Sequence, residues 1–199
     1  MGTIQQLIEE KKNKGQRIVI ELGPGKKKYS IDSLGIDICK KESVDYVTDL
    51  NNGLIFLEND SIDEIQAFHF LEHVVDLEFF MSEIYRVLKK DGKLIATVPH
   101  FSNPYFYSDY THQKFWGLYT IEYFTKNSLF KRGVPKYYNN IEFELVDIKI
   151  IFASPFRIRH QIKKIFQFFF NLNRYIQELY EENFVYLFSS YELYIEIKK

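Results

Sequence analysis

The stretch "VIELGPGKKKYSIDSLGIDI", from Val19 to Ile38, contains two short apolar runs separated by a polar loop. The first run carries Glu21 and ends in a Gly-Pro-Gly turn, and the second carries Asp37. Runs of this length that are rich in β-branched residues predict buried parallel strands. The interval between them is too short for a full crossover helix, so we expect a helix of about one turn there.

Strand and helix patterns alternate along the rest of the chain. Thr3 can cap a helix that ends near Gly15, and Asp76 can cap a helix that continues to about Lys90. Strand patterns cover residues 17–22, 33–38, 46–50, 61–70, 93–99, 143–152 and 191–199. This alternation predicts an α/β fold with a seven-stranded, mostly parallel, Rossmann-like sheet that finishes in a C-terminal antiparallel hairpin.

Length and composition indicate one globular domain. The chain has 199 residues, 46% of them hydrophobic, and a net charge of −1, so no basic field indicates a nucleic-acid partner. The single cysteine excludes an internal disulfide framework and a zinc site built from several cysteines. We find no signal peptide or membrane span and expect a cytoplasmic protein. The predicted core covers about 15–152 and 189–199, with a helical insertion at about 156–182.

The insertion reads as one helix over 157–182, with an apolar face flanked by basic residues. The apolar positions are Ile158, Ile162, Ile165, Phe166, Phe169 and Leu172. Such a helix can pack on its own domain, cap an acceptor pocket, form a dimer contact or lie on an anionic membrane surface. The oligomeric state does not follow from this pattern.

Polar and glycine residues gather where the predicted strands end. In open α/β sheets this edge binds ligands, and the residues that fall there are Glu21, Gly23, Gly25, Asp37, Asp49, His69 and His100. The two glycines let the backbone approach a ligand closely, and Asp37 can accept hydrogen bonds from both hydroxyls of a ribose. The chain lacks the P-loop pattern, and Lys28 replaces the third glycine of a dinucleotide fingerprint. A nucleoside without phosphates therefore fits best.

Two groups of histidines follow the fourth and fifth predicted strands. His69, Glu72 and His73 have a spacing that lets them face one way and hold a divalent metal. The alternative is that Glu72 and His73 only make structural hydrogen bonds.

The second group lies in the loop that begins at His100. His100 or His112 is our candidate base for a hydroxyl, with Asp109 as its orienting partner. The alternative is a lid whose histidines bond to the backbone.

Several of these segments carry a family resemblance. "VIELGPG", "GIDI" and "HFLEH" followed by "EIYRVLKKDGKL" and "VP" resemble the core of class I S-adenosylmethionine (SAM)-dependent methyltransferases, over about Arg17 to Pro99. The resemblance implies that Glu21, Gly23 and Gly25 line the methionine part of SAM and that Asp37 holds the ribose. It further implies that Asp49 and Leu50 meet the adenine and that His69 approaches the methionyl or sulfonium end.

The resemblance also implies a function. The segments resemble those of small methyltransferases from cofactor and bacterial glycan pathways. We therefore expect O-methylation of a sugar or small metabolite in a bacterial surface-glycan pathway. Lys26, Lys27 and Lys28 would suit an anionic or sugar-linked acceptor. Two alternatives remain open: a metal-assisted O-methyltransferase acting on a diol or phosphorylated acceptor, and a SAM-binding scaffold protein without catalysis.

Overall fold

The computed structural model of the protein describes residues 3–199, and a single seven-stranded sheet organises them. The strands are β1 (Val19–Leu22), β2 (Leu34–Asp37), β3 (Tyr46–Val47), β4 (Ile62–Phe68), β5 (Leu88–Pro99), β6 (Glu144–Ile151) and β7 (Glu192–Lys198). Their order in the sheet is β3-β2-β1-β4-β5-β7-β6. Strands β1 to β5 run parallel, and β7 is antiparallel to both β5 and β6. The predicted fold class is confirmed.

The register of the parallel strands brings their carboxyl ends to one edge. Leu22 of β1 lies opposite Ile36 of β2 and Ala67 of β4. All three side chains are completely buried, because helices and loops cover both faces of the sheet. The loops that leave β1, β2, β4 and β5 therefore meet at the same rim.

The helices of the first half begin where their capping residues predict. Helix α1 (Ile4–Asn13) follows Thr3, whose hydroxyl and main chain form a capping box with Gln6. Helix α2 (Leu77–Val87) follows Asp76, whose carboxylate accepts from the Phe79 N–H. It ends three residues earlier than predicted, because Leu88 already pairs with Ile62 of β4 as the first residue of β5.

The predicted one-turn helix between β1 and β2 is wrong, since residues 23–33 form turns and bends. Glu21, almost completely buried on β1, holds this loop. Its carboxylate accepts from the Tyr29 N–H at 2.9 Å and from the Ser33 hydroxyl at 2.9 Å. One side chain thus supplies the hydrogen bonds that a helix would otherwise have made within its backbone.

The insertion between β6 and β7 consists of two helices, α3 (Arg157–Phe170) and α4 (Arg174–Asn183), and not of one. Asn171 breaks the helix, because its side chain donates to the Ile150 carbonyl and accepts from the Ile150 N–H on β6. Asn173 then caps α4 through the Ile176 N–H.

Helix α3 exposes much of its apolar face. The side chains at least one third exposed are Ile158, Ile162, Ile165, Phe168 and Phe169, whereas Phe170 packs in the core. Within residues 3–199, none of the helices combines the length and the apolar character needed to cross a bilayer. Contact of α3 with a membrane surface stays a prediction.

Candidate functional site

A cavity of about 540 Å³ opens at the carboxyl edge of the sheet, next to the ends of β1, β2 and β4. Its lining residues are Gly23, Asp37, Ile38, Cys39, Lys41, Asp49, Leu50, Asn51, His69, Phe70, His73, Val74 and Thr111. We call it the strand-end cavity. Five of the seven residues predicted to bind a cofactor line it, namely Gly23, Asp37, Asp49, Leu50 and His69.

Gly23 shapes the floor of the strand-end cavity. Its φ is +63°, and its N–H donates to the Ile36 carbonyl at 2.8 Å, which turns the chain away from β1. A Cβ at this position would lie 2.9 Å from Cδ2 of Phe70, so only glycine fits without a shift. The backbone here can therefore come close to a bound molecule.

Asp37 ends β2 with its carboxylate at the cavity. Its Oδ1 accepts from the Cys39 N–H at 2.9 Å, and its Oδ2 lies 2.9 Å from Nζ of Lys41. Lys41 is partly exposed, and an exposed ion pair contributes little free energy, so a diol can replace it as the partner of Oδ2. The carboxylate is thus fixed in position by the backbone and still able to bind.

Asp49 and Leu50 form the opposite wall. Asp49 caps the short 3-10 turn Leu50–Asn52, and its Oδ1 accepts from the backbone and side-chain N–H groups of Asn51. Leu50 is buried and presents apolar surface to the cavity. An acceptor oxygen beside an apolar side chain is suited to a purine that carries an exocyclic amine.

His69 follows β4 with a φ of +54°, a strained conformation for a residue with a side chain. Its Nε2 lies 2.9 Å from Oε2 of Glu192 on β7, and its Nδ1 lies 3.5 Å from Oε1 of Glu72. The hydrogen bond with Glu192 and, next, the interaction with Glu72 raise the pKa of His69 to about 10. His69 is therefore positively charged at neutral pH.

Two predicted cofactor residues do not line the cavity. Glu21 holds the loop after β1, as described above, and its carboxylate is committed to that loop. Gly25 also has a positive φ, of +47°, but no atom lies within 4 Å of where its Cβ would be. Gly25 therefore lies in an exposed turn, and of the two glycines only Gly23 lines the cavity.

The structure argues against His100 as a base. Its ring is completely buried, its Nε2 lies 3.1 Å from Oε2 of Glu181, and its Nδ1 lies 2.8 Å from the Ser102 hydroxyl. With both ring nitrogens occupied, His100 ties the loop after β5 to α4 and has no nitrogen free for a substrate.

His112 and Asp109 lie in that same loop, next to the cavity wall. Oδ1 of Asp109 accepts from the N–H and the hydroxyl of Thr111, and its Oδ2 lies 3.7 Å from Nε2 of His112. Nδ1 of His112 lies 2.9 Å from the Phe106 carbonyl. Asp109 was predicted to orient His112, but its hydrogen bonds go to Thr111.

The three residues predicted to bind a metal were His69, Glu72 and His73, and the structure brings together a different set of three. Within the described chain, ligand atoms of Glu72, His73 and His112 all lie within 4.8 Å of one another. His112 takes the third place, because His69 turns its Nε2 toward Glu192. The loop after β5 brings His112 to the short turn Leu71–His73, a contact that local spacing cannot reveal.

The sequence interpretation missed Phe70, Thr111 and Glu192. Phe70 packs against Gly23, Thr111 borders the cavity, and Glu192 pairs with His69. Only Phe70 had a local signal, since it directly follows His69 at the end of a strand. Glu192 comes from the far end of the chain, where β7 inserts beside β5.

Comparison with known proteins identifies similar sequences and folds. The sequence model of a family described as a methyltransferase domain matches residues 26–96. A SAM-dependent methyltransferase from Archaeoglobus fulgidus is similar in structure, with a TM-score of 0.59 and 20% identity over 100% of this chain and 95% of that chain. A phosphoethanolamine N-methyltransferase from Haemonchus contortus, in complex with S-adenosylhomocysteine, has a TM-score of 0.50 and 18% identity over 99% of this chain and 53% of its own. Comparison with curated protein sequences gives no match.

The chain therefore has the fold of the SAM-dependent methyltransferases, and its residues 26–96 match the model of a methyltransferase domain.

Proposed function

We propose that the strand-end cavity binds SAM and that the protein methylates a hydroxyl group of a sugar or a related small metabolite. The observation that carries the proposal is the joint placement of Gly23, Asp37, Asp49 and Leu50 around one cavity. They come from three separate parts of the chain, and together they offer what an adenosine needs: a close backbone, an acceptor for hydroxyls, an acceptor for an amine and an apolar wall.

The residues present fit the cofactor. A volume of about 540 Å³ lies in the range of small-molecule sites. Asp37 would accept from the ribose hydroxyls, while Asp49 and Leu50 would hold the adenine. His69 lies at the other side of the cavity, where the methionyl end would lie. When bound, SAM supplies a methyl group on a positively charged sulfur, which an oxygen nucleophile can attack.

A small polar acceptor is supported by the surroundings of the cavity. His73 and Thr111 border it, and Lys26 and Lys27 are exposed on the loop after β1. Lys28 is not available for an acceptor, because its Nζ bonds to the Ser33 carbonyl and pairs with Asp45. The assignment to a sugar of a bacterial surface-glycan pathway rests on the resemblance of the core motifs to methyltransferases of such pathways.

The test of the cofactor site is Asp37→Ala, measured by calorimetric titration with SAM. We expect affinity to fall by about tenfold to a hundredfold, since hydrogen bonds to a charged group contribute about 1.5–3 kcal/mol. Lys41→Ala is the matched control, because it removes the ion pair and keeps the carboxylate. It should bind SAM at least as well as the unmodified protein. Equal affinity in the Asp37→Ala variant would place the ribose elsewhere.

The test of the reaction is the release of S-adenosylhomocysteine on addition of candidate acceptors. The panel contains nucleotide sugars and free sugars as hydroxyl acceptors and phosphoethanolamine as an amine acceptor. We expect turnover with a sugar and none with the amine. Turnover with the amine alone would contradict the proposal that the acceptor is a hydroxyl group. It would not contradict the proposed SAM site.

A further inference from the structure

Glu72 is a completely buried carboxylate in the short turn Leu71–His73, next to His73, which lines the strand-end cavity. Neither of its oxygens makes a hydrogen bond to another group of residues 3–199. The neighbouring imidazole nitrogens are Nδ1 of His69, at 3.5 Å from Oε1, and Nε2 of His73, at 4.0 Å from Oε1. Burial of a carboxylate whose oxygens lack hydrogen-bond partners is unfavourable. His69 offsets this only in part, because Nε2 of the same ring pairs with Glu192, so both oxygens of Glu72 remain able to bind a cation.

The hydrogen bonds of His73 and His112 occupy Nδ1 of each ring. Nε2 of His73 lies 4.0 Å from Oε1 of Glu72, and Nε2 of His112 lies 3.7 Å from Oδ2 of Asp109. Nδ1 of His112 lies 2.9 Å from the Phe106 carbonyl, which only accepts, so this nitrogen carries the proton. Nδ1 of His73 lies 2.9 Å from the Thr111 hydroxyl, whose own proton goes to Asp109 at 2.6 Å. A ring that carries its single proton on Nδ1 offers a lone pair on Nε2. Partners of this kind on the far nitrogen are typical of histidines that bind metals.

The backbone fixes the two segments that carry these groups. The Glu72 carbonyl accepts from the Gln113 N–H at 2.7 Å and from the Lys114 N–H at 3.2 Å. The rings of His73 and His112 pack with their centroids 4.9 Å apart. The three ligand atoms are thus brought together before any ion binds.

We propose that Glu72, His73 and His112 bind one divalent first-row transition-metal ion through a carboxylate oxygen and two Nε2 atoms. Two imidazoles and a carboxylate suit Zn²⁺, Fe²⁺, Co²⁺ or Mn²⁺ better than Mg²⁺, which prefers oxygen ligands. Three protein ligands leave open coordination positions. Because His73 borders the strand-end cavity, these positions take an oxygen ligand from the acceptor, such as one of two vicinal hydroxyls; this last step rests on the proposed function. His112 is then a metal ligand and not a base.

The test uses the full-length protein, freed of metal with a chelator and titrated with Co²⁺. The visible absorption of Co²⁺ should saturate at one ion per chain, and Mg²⁺ in equal amount should not displace it. His112→Ala, His73→Ala and Glu72→Gln should each weaken Co²⁺ binding by at least about tenfold. His160→Ala, on α3 and outside the cluster, is the matched control and should bind Co²⁺ as the unmodified protein does.

Circular dichroism and SAM affinity, measured on the same variants, separate the metal site from the rest of the account. Co²⁺ binding that is lost while SAM affinity and fold remain supports the proposal. Absence of saturable Co²⁺ binding to the folded protein, or binding that survives both His73→Ala and His112→Ala, overturns it. Failure of the unmodified protein to bind SAM would contradict the proposed function. The Co²⁺ titration would still decide whether the metal site exists.

Discussion

Two cavities of similar size, each bordered by the loop after β5, differ in how far their carboxylates are already hydrogen-bonded within the protein. The strand-end cavity measures about 540 Å³, and a second one of about 680 Å³ lies between the loop after β5 and helix α4. The second cavity is lined by Phe101, Tyr119, Lys131, Arg132, Tyr175, Glu178, Leu179, Glu181 and Glu182. Its larger volume alone would make it the better candidate for a ligand site.

The carboxylates of the second cavity are already engaged by the protein. Glu178 accepts from the N–H groups of Lys131 and Arg132 and from the Tyr119 hydroxyl. Burial and the nearby Glu178 raise the pKa of Tyr119, so that hydroxyl keeps its proton and donates. Glu181 accepts from His100 and from the Leu118 N–H. These groups hold α4 to the loop, whereas Asp37 and Asp49 in the strand-end cavity keep capacity for a ligand.

The largest effect that separates the two cavities is expected for Glu181→Ala. Completely buried His100 and the Leu118 N–H would both lose their acceptor, so the free energy of unfolding should fall by about 3 kcal/mol. Urea denaturation measures this loss, and SAM affinity at a temperature where the variant stays folded should not change. Glu182→Ala, its exposed neighbour in the same cavity, should alter stability by less than about 0.5 kcal/mol. A tenfold loss of SAM affinity in Glu181→Ala would erase the distinction between the cavities.

A smaller effect is expected for Gly23→Ala in the strand-end cavity. The new Cβ would meet Phe70, and the positive φ would become strained, so stability should fall by about 2 kcal/mol and SAM affinity with it. Gly15→Ala is matched in backbone conformation, with a φ of +65°, but has open space around the new Cβ. It should lose stability from strain alone and bind SAM normally. Equal SAM affinity in both variants would show that the floor of the cavity tolerates a side chain.

The smallest effect concerns the charge on His69. Glu192→Gln removes the main cause of its raised pKa, so the pKa should move from about 10 toward the ordinary value of 6.5. A pKa raised by folding stabilises the protein fully below 6.5, and this contribution disappears as the pH rises to about 10. Titration of the imidazole by NMR measures the shift, and urea denaturation across that range should be less pH-dependent in the variant. Glu196→Gln, on the same strand but paired with Lys93, should leave the titration of His69 unchanged.

The first half of the fold could be predicted because its signals are local. The β-branched runs around Ile20 and Ile36 and the caps Thr3 and Asp76 specify their elements within a few residues. The division of the predicted long helix into α3 and α4 could not be predicted. It depends on hydrogen bonds between Asn171 and Ile150 of β6, which is distant in sequence.

The candidate site divides in the same way. Asp37 ends β2 and Asp49 lies two residues after β3, so their position at the cavity could be predicted from the strand pattern. The burial of His100 depends on Glu181 of α4, and the grouping of His112 with Glu72 depends on how a long loop folds back. The sequence also could not show that the carboxylate of Glu21 bonds within its own loop. An acid at a strand end can hold its own loop as readily as it can bind a ligand, and only the fold distinguishes the two.

The central claim is that an adenosine binds at the strand-end cavity and not in the larger second cavity. A crystal structure of the protein grown with S-adenosylhomocysteine tests it most directly. The account predicts ribose hydroxyls at Asp37 and the purine against Leu50, with its amine at Asp49. Density for the nucleoside among Tyr119, Tyr175 and Glu178, with none at Asp37, would contradict it.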